Sequence, residues 1–332
     1  MSFALMRLTI TVQRSIPEIG RAPHDQDYRL DFNRGLTVLE ALIRIKNEVD
    51  GSLSIRYSCR SAICGSCAMS INGSEKLACR TSVRQEFERH GRIHVGPLKN
   101  MRVIKDLVVD MGAFWHAMQG VTPWLSKHAA VPTDPASGQL TISRDQSRFH
   151  NVDACIMCGA CVAACTTREV SPGFLGPAAL AKADRFVEDP RESEVTKTFR
   201  LRHLQDANGI WDCTRCNFCV QVCPKDVRPL EAIIRLRRAT LERGMLETGG
   251  ARHIRGFVQL IERHGRLNEA LMPLKVVGFE LRRIVAVLPL GFRMMLNGKV
   301  PNPFGHAIPG HHQVQAIFAA ARSHHAARRP TG

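Results

Sequence analysis

Twelve cysteines are the residues whose spacing can do chemistry, and they fall into three groups of four with none left over: Cys59, Cys64, Cys67 and Cys79; Cys155, Cys158, Cys161 and Cys165; Cys213, Cys216, Cys219 and Cys223. Thiolates are soft ligands that suit zinc and iron-sulfur clusters. Cysteines repeatedly separated by two residues converge on one small object, whereas disulfides are most useful where they close long loops. Metal ligation therefore fits this pattern better than disulfide bridging.

The first group, CRSAICGSCAMSINGSEKLAC, leaves four, two and eleven residues between successive cysteines. Four then two is the plant-type spacing for a 2Fe-2S cluster, in which a tight loop wraps the cluster and a later residue adds the fourth thiolate. Gly65 and Ser66 suit a chain that must fold back with its N–H groups facing sulfur. The second group, CIMCGACVAAC, and the third, CTRCNFCVQVC followed by Pro224, repeat a spacing of two, two and three. In that two-cluster ferredoxin pattern the fourth cysteine of each run ligates the other run's cluster. The expected sets are Cys155, Cys158, Cys161 and Cys223 on one 4Fe-4S cluster, and Cys165, Cys213, Cys216 and Cys219 on a second. Cys216 completes the second cubane, where an apolar or hydroxyl residue would favour a three-iron cluster. A zinc loop for the first group and two separate zinc sites for the others are the competing readings. Three close thiolates plus a distant one suit a cubane better than a zinc ribbon.

The elements that must position these residues can be read from periodicity. Leu8 to Val12 alternates as a strand, DYRLDF (27–32) offers it a partner, and GLTVLEALIRIKNEV has apolar residues at 38, 39, 42, 43 and 45 in helical recurrence. The cysteine loop, AMSING and RIHVGPL complete a small mixed sheet over one helix, ending near Asn100. From Met101, the residues Leu107, Val108, Met111, Phe114, Trp115 and Met118 form a helical stripe. A stretch with Pro132 and Pro135 has little periodicity. RPLEAIIRLRRATLERG reads as a helix with Pro229 near its start, ending around Gly244, with Arg235, Arg237, Arg238 and Arg243 on a solvated or partner-facing side. Beyond residue 251, two helices are expected, divided at Gly265 and again near Pro289, and ARSHHAARRP reads as a frayed basic tail. The fold class is thus α+β: a plant-type ferredoxin-like β-grasp domain (1–100), an α-helical two-cluster bacterial-ferredoxin-like domain (101–245) and a helical, basic C-terminal extension (246–332) for docking to a partner or membrane surface.

Composition narrows the class further. Of 332 residues, 44% are hydrophobic and 23% charged, ordinary values for a folded soluble chain and against general disorder. MSFALMRLTITVQ lacks the apolar run and cleavage site of a signal peptide. The most apolar stretch, from Leu274 to Leu296, is interrupted by Glu280, Arg282 and Arg283, which argues against a membrane span but not against lying on one. Formal charge is +16; three clusters of about −2 each would leave roughly +10. No stripe of alternating aromatic and basic residues supports nucleic-acid binding. Low-potential clusters imply assembly in a reducing compartment, hence the cytoplasm or the cytoplasmic face of the inner membrane.

With YSCRSAICGSCAMSING, IKDLVVDM, GPAAL and CPKDVRPLEAI, the three groups resemble the iron-sulfur subunit of the succinate dehydrogenase and fumarate reductase family over about residues 5 to 245. The resemblance implies electron transfer from an FAD-bearing flavoprotein subunit, which holds the dicarboxylate site, towards a quinone-reducing partner, or the reverse in fumarate reduction. It also implies a flavin-proximal binuclear cluster on Cys59, Cys64, Cys67 and Cys79, and no catalytic residue on this chain. Cys216 stands where the usual member has a non-cysteine residue. Thr166, Val170 and Thr214 depart from a proline, a tryptophan and a histidine of the usual quinone pocket. Variants with the extra cysteine, the non-classical or E type, pair with a cysteine-rich subunit resembling part of heterodisulfide reductase in place of a membrane cytochrome anchor. ERHGRLNEALMPLK and LPLGFRMMLNGKVPNPFGH also resemble the C-terminal part of one of the subunits of heterodisulfide reductase. The alternative is an iron-sulfur adaptor of another flavoprotein, such as a heterodisulfide reductase-like or glycolate oxidase-like assembly.

Overall fold

The structure is a computed structural model that describes residues 6–32, 35–126, 151–278, 281–299 and 307–327. The stretch with Pro132 and Pro135, the whole of VPNPFGH and the last five residues of the chain lie outside the described residues. The chain divides into two compact units, Met1–Arg237 and Arg238–Gly332. An N-terminal ferredoxin-like β-sheet domain is followed by an α-helical domain carrying the two cysteine runs, and then by a helical extension.

Strand β1 (Met6–Ile16) turns through Pro17–Ile19, ended by Gly20 at φ +72°, into antiparallel β2 (Arg21–Phe32). Alternation buries Leu8, Ile10 and Val12 on one face, opposite Leu30 and Tyr28. Strands β3 (Ala68–Ile71) and β4 (Ser74–Leu77) form a hairpin whose Asn72 and Gly73 both have positive φ, the conformation a two-residue turn between right-twisted strands requires. Strand β5 (Ile93–Gly96) runs parallel to β1 and antiparallel to β3, giving the order β2-β1-β5-β3-β4.

Helix α1 (Val38–Arg44) lies in the same core, burying Val38, Leu39 and Leu42. Its start is fixed by a capping box in which Thr37 Oγ1 accepts from Glu40 N–H and the Glu40 carboxylate accepts from Thr37 N–H. The helix then loosens into one π turn, Ile45–Val49. Helix α2 (Val83–His90) follows the last cysteine of the first group.

The expected stripe from Leu107 is corrected at its start. Val108–Val109 (β7) is a strand paired with Val103–Lys105 (β6), and helix α3 begins only at Gly112 and runs to Gly120. Asp110 carboxylate accepts from Gly112 N–H at 2.8 Å, which turns the chain at that point. The β6–β7 hairpin is held by Arg14, which is 5% exposed and donates to Asp106 at 2.9 Å, Asp50 at 2.5 Å and Ser52 at 2.9 Å. Asp106 also accepts from Ser15 N–H and Ser54 N–H, so this buried ion pair is fully hydrogen-bonded.

The helical domain consists of α4 (Ala160–Ala163), α5 (Thr166–Val170), α6 (Gly176–Val187), α7 (Glu194–Leu204), α8 (Phe218–Gln221) and α9 (Pro229–Glu242). Central α6 is rich in alanine and buries Ala178, Ala179, Leu180, Ala181 and Ala183, so neighbouring backbone can approach closely. Two arginines expected on a solvated or partner-facing side of α9 turn inward instead: Arg237 is buried at 6% exposure, and the half-buried Arg235 donates to the buried carboxyl group of Asp184.

The second unit contains α10 (Gly249–His264), α11 (Leu271–Val277), α12 (Leu281–Leu296) and α13 (His311–Ala327). Gly265 ends α10 at φ +72°, as expected, and a Cβ there would lie 2.5 Å from Ile308. Pro289 lies inside α12 rather than dividing two helices; the break falls earlier, at Gly278 with φ +65°. ARSHHAA is also corrected, because it continues α13 as far as Ala327 instead of fraying.

Candidate metal centres

The first cysteine group is shaped by its backbone. Arg60, Ala62 and Gly65 all have positive φ, which turns successive N–H groups inward. Cys59 Sγ accepts from the N–H groups of Ser61, Ile63 and Cys64 at 3.3–3.4 Å. Cys64 Sγ accepts from Cys59 N–H at 3.4 Å, and Cys79 Sγ from Ala62 N–H at 3.3 Å. These donors favour thiolate. The Ser66 side chain and the N–H groups of Cys59 and Ser66 lower the Cys64 thiol to about 6, whereas burial pushes Cys67 up to about 12. Cys67 lies within reach of Cys64 and Cys79, so the four expected residues share one loop region.

The other eight cysteines are exchanged between runs. Cys161 feels the charges of Cys158, Cys155, Cys219 and Cys223, and Cys158 those of Cys155 and Cys223, with which, together with Cys161, it lines a common cavity. Cys165 instead faces Cys216 and Cys213, and Cys219 faces Cys213, Cys216 and Cys165. The fourth cysteine of each run therefore stands among the first three of the other.

Cys155, Cys158, Cys161 and Cys223 line one small cavity, which Ala178 and Val227 also border. Burial pushes Cys158 up to about 11, Cys219 up to about 12 and Cys161 well above the ordinary thiol value. Such sulfurs are poor thiolates by themselves, and metal binding, which displaces the thiol proton, offsets that cost. Among the described residues no three His, Cys, Asp or Glu groups lie as close as a single metal ion requires.

Cys216 is the exposed member. Burial of its sulfur works against ionisation, but Phe218 N–H and the hydroxyls of Thr166 and Thr214 outweigh it and hold the thiol below its ordinary value. Thr166 Oγ1 lies 3.6 Å from Cys216 Sγ, and Thr167 Oγ1 lies 3.5 Å from Thr214 Oγ1. Thr166 and Thr214, two of the three departures from the usual quinone pocket, thus adjoin the extra cysteine. Val170 is 86% exposed.

Gly65 was expected in the first loop but not against the second group, and Asn100, Arg237 and Arg168 were not anticipated as part of the centres. Gly65 sits so close to the second group that a Cβ on it would lie 2.7 Å from Cys158 Cβ. Asn100 Nδ2 donates to the carbonyls of Val162, Ala163 and Cys165 at 3.0 Å, fixing the chain that carries Cys161 and Cys165. Arg237 donates to the carbonyls of Ile210 and Cys213 at 2.8 and 2.7 Å and stacks on Trp211. Arg168 is buried and donates to Phe174 O. Arg237 falls in register with Ile233 and Thr240 on the buried stripe of α9, a periodic signal that outweighs its charge. Asn100 has no such sequence signature, nor has the approach of Gly65 to Cys158.

Two cysteine-lined modules in series, one on a β-sheet loop and one among short helices, define an iron-sulfur electron-transfer protein. Residues 9–116 match the family described as 2Fe-2S iron-sulfur cluster binding domain, and residues 151–227 match the 4Fe-4S dicluster domain. The chain is 38% identical over 235 residues to the fumarate reductase iron-sulfur subunit of Haemophilus influenzae, covering 68% of this chain and 90% of that protein. It is 39% identical over 231 residues to the Mycobacterium tuberculosis fumarate reductase iron-sulfur subunit, covering 70% and 92%. The mitochondrial succinate dehydrogenase [ubiquinone] iron-sulfur subunit 1 of Oryza sativa subsp. japonica is 38% identical over 237 residues, covering 70% and 82%. A chain of the Mycobacterium smegmatis Sdh1 complex in the apo form shares the fold, with a TM-score of 0.62 and 24% identity over 72% of this chain and 98% of that one. The chain belongs to the succinate dehydrogenase and fumarate reductase iron-sulfur subunit family. Its function is that of the family's electron-transfer subunit, a redox-active part of an oxidoreductase complex.

Proposed function

We propose that this chain holds one 2Fe-2S and two 4Fe-4S clusters and relays single electrons from an FAD-bearing flavoprotein, where succinate is oxidised or fumarate reduced, to a quinone-reducing partner. Cys59, Cys64, Cys67 and Cys79 would hold the binuclear cluster. Cys155, Cys158, Cys161 and Cys223 would hold the central cubane, and Cys165, Cys213, Cys216 and Cys219 the second. The observation that carries this reading is the exchange of Cys165 and Cys223 between the two runs. Bound there, the clusters supply one-electron carriers that divide two-electron flavin chemistry into single transfers.

The chain's own residues place and tune these carriers. Inward N–H groups stabilise negative charge on the first set, and Gly65 allows its loop to approach Cys158. Arg237 fixes the carbonyl of Cys213 and brings a buried positive charge beside the second cubane set. In functional terms the chain divides into a binuclear domain (1–100), a two-cubane domain (101–245) and a docking extension (246–332). Cys216 and the altered residues at 166, 170 and 214 favour a cysteine-rich, heterodisulfide reductase-like partner over a cytochrome anchor. The complex would sit at the cytoplasmic face of the inner membrane, with peripheral membrane contact.

Anaerobic affinity purification of the native complex, followed by electron paramagnetic resonance before and after adding succinate, tests the reading. Recovery of an FAD-bearing subunit and succinate-dependent reduction of three clusters are expected. A different flavoprotein and no response to succinate would move this electron wire to another enzyme, the adaptor alternative.

A further inference from the structure

We propose that α12 is a lipid-contacting element that lays its apolar stripe in the headgroup boundary of an anionic bilayer. The inference deepens the membrane contact of the reading above and rests on it for the cellular setting, although lipid binding itself can be measured apart from electron transfer. Leu281, Val285, Leu288, Phe292 and Met295 recur at steps of four and three residues, so they share one face of the helix. They are 74%, 54%, 59%, 57% and 59% exposed. Single exposed apolar residues are normal, but a contiguous row of five marks an interaction surface.

Charge selects the occupant. Residues 281–296 include Arg282, Arg283 and Arg293 and no Asp or Glu, and Lys299 follows the helix. Arg282 and Arg293 lie eleven residues apart, on the same flank of the stripe. Residues 238–332 contain fourteen Lys and Arg against five Asp and Glu, so they carry +9 of the whole chain's +16. Cationic flanks beside an apolar row match an anionic headgroup layer and repel a second copy laid alongside. Length selects the mode: 16 residues of helix span about 24 Å, short of the roughly 30 Å of a hydrocarbon core. Among the described residues no helix is long and apolar enough to cross a membrane.

The test is vesicle flotation of the full, anaerobically prepared, cluster-loaded chain. Vesicles of phosphatidylcholine with phosphatidylglycerol are compared with phosphatidylcholine alone, at low and high salt. The wild-type chain should float with the anionic vesicles and be released by salt. Neutralising two cations, Arg282→Gln with Arg293→Gln, should weaken binding about 30-fold at low salt. Leu288→Asp with Phe292→Asp should abolish flotation while leaving the cluster absorption unchanged, because both side chains are exposed. Wild-type chain that stays in the soluble fraction with anionic vesicles at low salt overturns the proposal. Unchanged flotation of the Leu288/Phe292 variant also overturns it, and so does a concentration-dependent dimer that this variant dissolves, which would give the stripe to a second copy. Flotation of a chain whose purified native complex gives no response to succinate would leave the lipid contact standing and remove the electron-transfer reading instead.

Discussion

The two cubane cysteine runs share one backbone in opposite surroundings. Met157 and Arg215, at equivalent positions, have φ of +53° and +62°; Gly159 and Asn217, two residues on, have +82° and +69°. Each run follows a single 3-10 turn and leads into a four-residue helix, α4 or α8. Left-handed conformations at a methionine and an arginine cost about 1 kcal/mol or more each, and repeating them in both runs shows that sulfur placement sets the backbone. The surroundings then diverge. A Cβ on Gly159 would meet Met101 Cε at 2.9 Å and Met111 Cε at 3.3 Å, whereas Asn217 and its neighbours Cys216 and Phe218 are exposed. Repetition supplies ligand geometry, and packing decides which run is enclosed and which reaches the surface.

Removing iron should produce the largest effect. Burial disfavours the thiolates of Cys158, Cys161 and Cys219 unless metal holds them, so metal-binding free energy is also folding free energy. Chelation should remove the visible absorption and, with it, cooperative thermal unfolding of the helical domain followed by circular dichroism. An apo chain that keeps its helical signal and its midpoint would break the link between the enclosed run and its cluster.

Serine substitutions separate the two runs next. Cys158→Ser removes a ligand from the enclosed set and should abolish the central cluster's magnetic signal. Cys216→Ser changes an exposed residue and should convert the second cubane towards a three-iron signal, leaving the central one intact. Equal loss in both variants would contradict the division between enclosed and exposed centres. Exchanging the turn residues is a finer probe. Gly159→Asn must displace Met101 and should cost about 1–3 kcal/mol. Asn217→Gly keeps an accessible left-handed conformation and should change stability by less than about 1 kcal/mol. Thermal midpoints of the loaded proteins give the ranking.

What was legible in the sequence was mostly what spacing dictates. The cysteine intervals led to two modules and to the exchange of Cys165 and Cys223, and alternation led to the pairing of β1 with β2. Short strands were harder. Ser74–Leu77 joins the sheet through a turn hidden within the first cysteine group, and Val108–Val109 mimics the start of a helical stripe. Charge misled most on α9, because Arg235 and Arg237 find acceptors far along the chain, at Asp184, Ile210 and Cys213. A buried arginine is recognisable only once its distant acceptors are known, and the close approach of Gly65 to Cys158 is likewise a tertiary fact.

A pH profile tests the ionic support between the runs. Asp184, on the helix behind the enclosed run, faces Arg235, on the helix that follows the exposed one. Burial, reinforced by Glu188, raises the Asp184 carboxyl to about 7 against the pull of Arg235. The native state therefore keeps a proton that the unfolded chain releases near 3.8, so stability should fall as pH rises from the unfolded value through about 7 and then level off. The loss is on the order of 1 kcal/mol per pH unit. Asp189, five residues on, has the opposite sign: burial works against its ionisation, but Arg191 and Arg185 hold it well below the ordinary carboxylate value. Its contribution is fully present above the unfolded pKa and is lost only as pH falls towards the depressed native one. Between about pH 5 and pH 8 Asp189 is thus constant, and of the two carboxylates Asp184 alone titrates. Thermal midpoints of the loaded protein across that window should decline for the wild type and stay flat for Asp184→Asn, which still offers Arg235 an acceptor. A wild-type profile as flat as the variant's would mean that Arg235 keeps Asp184 ionised, making the bridge an ordinary ion pair rather than a proton-holding contact.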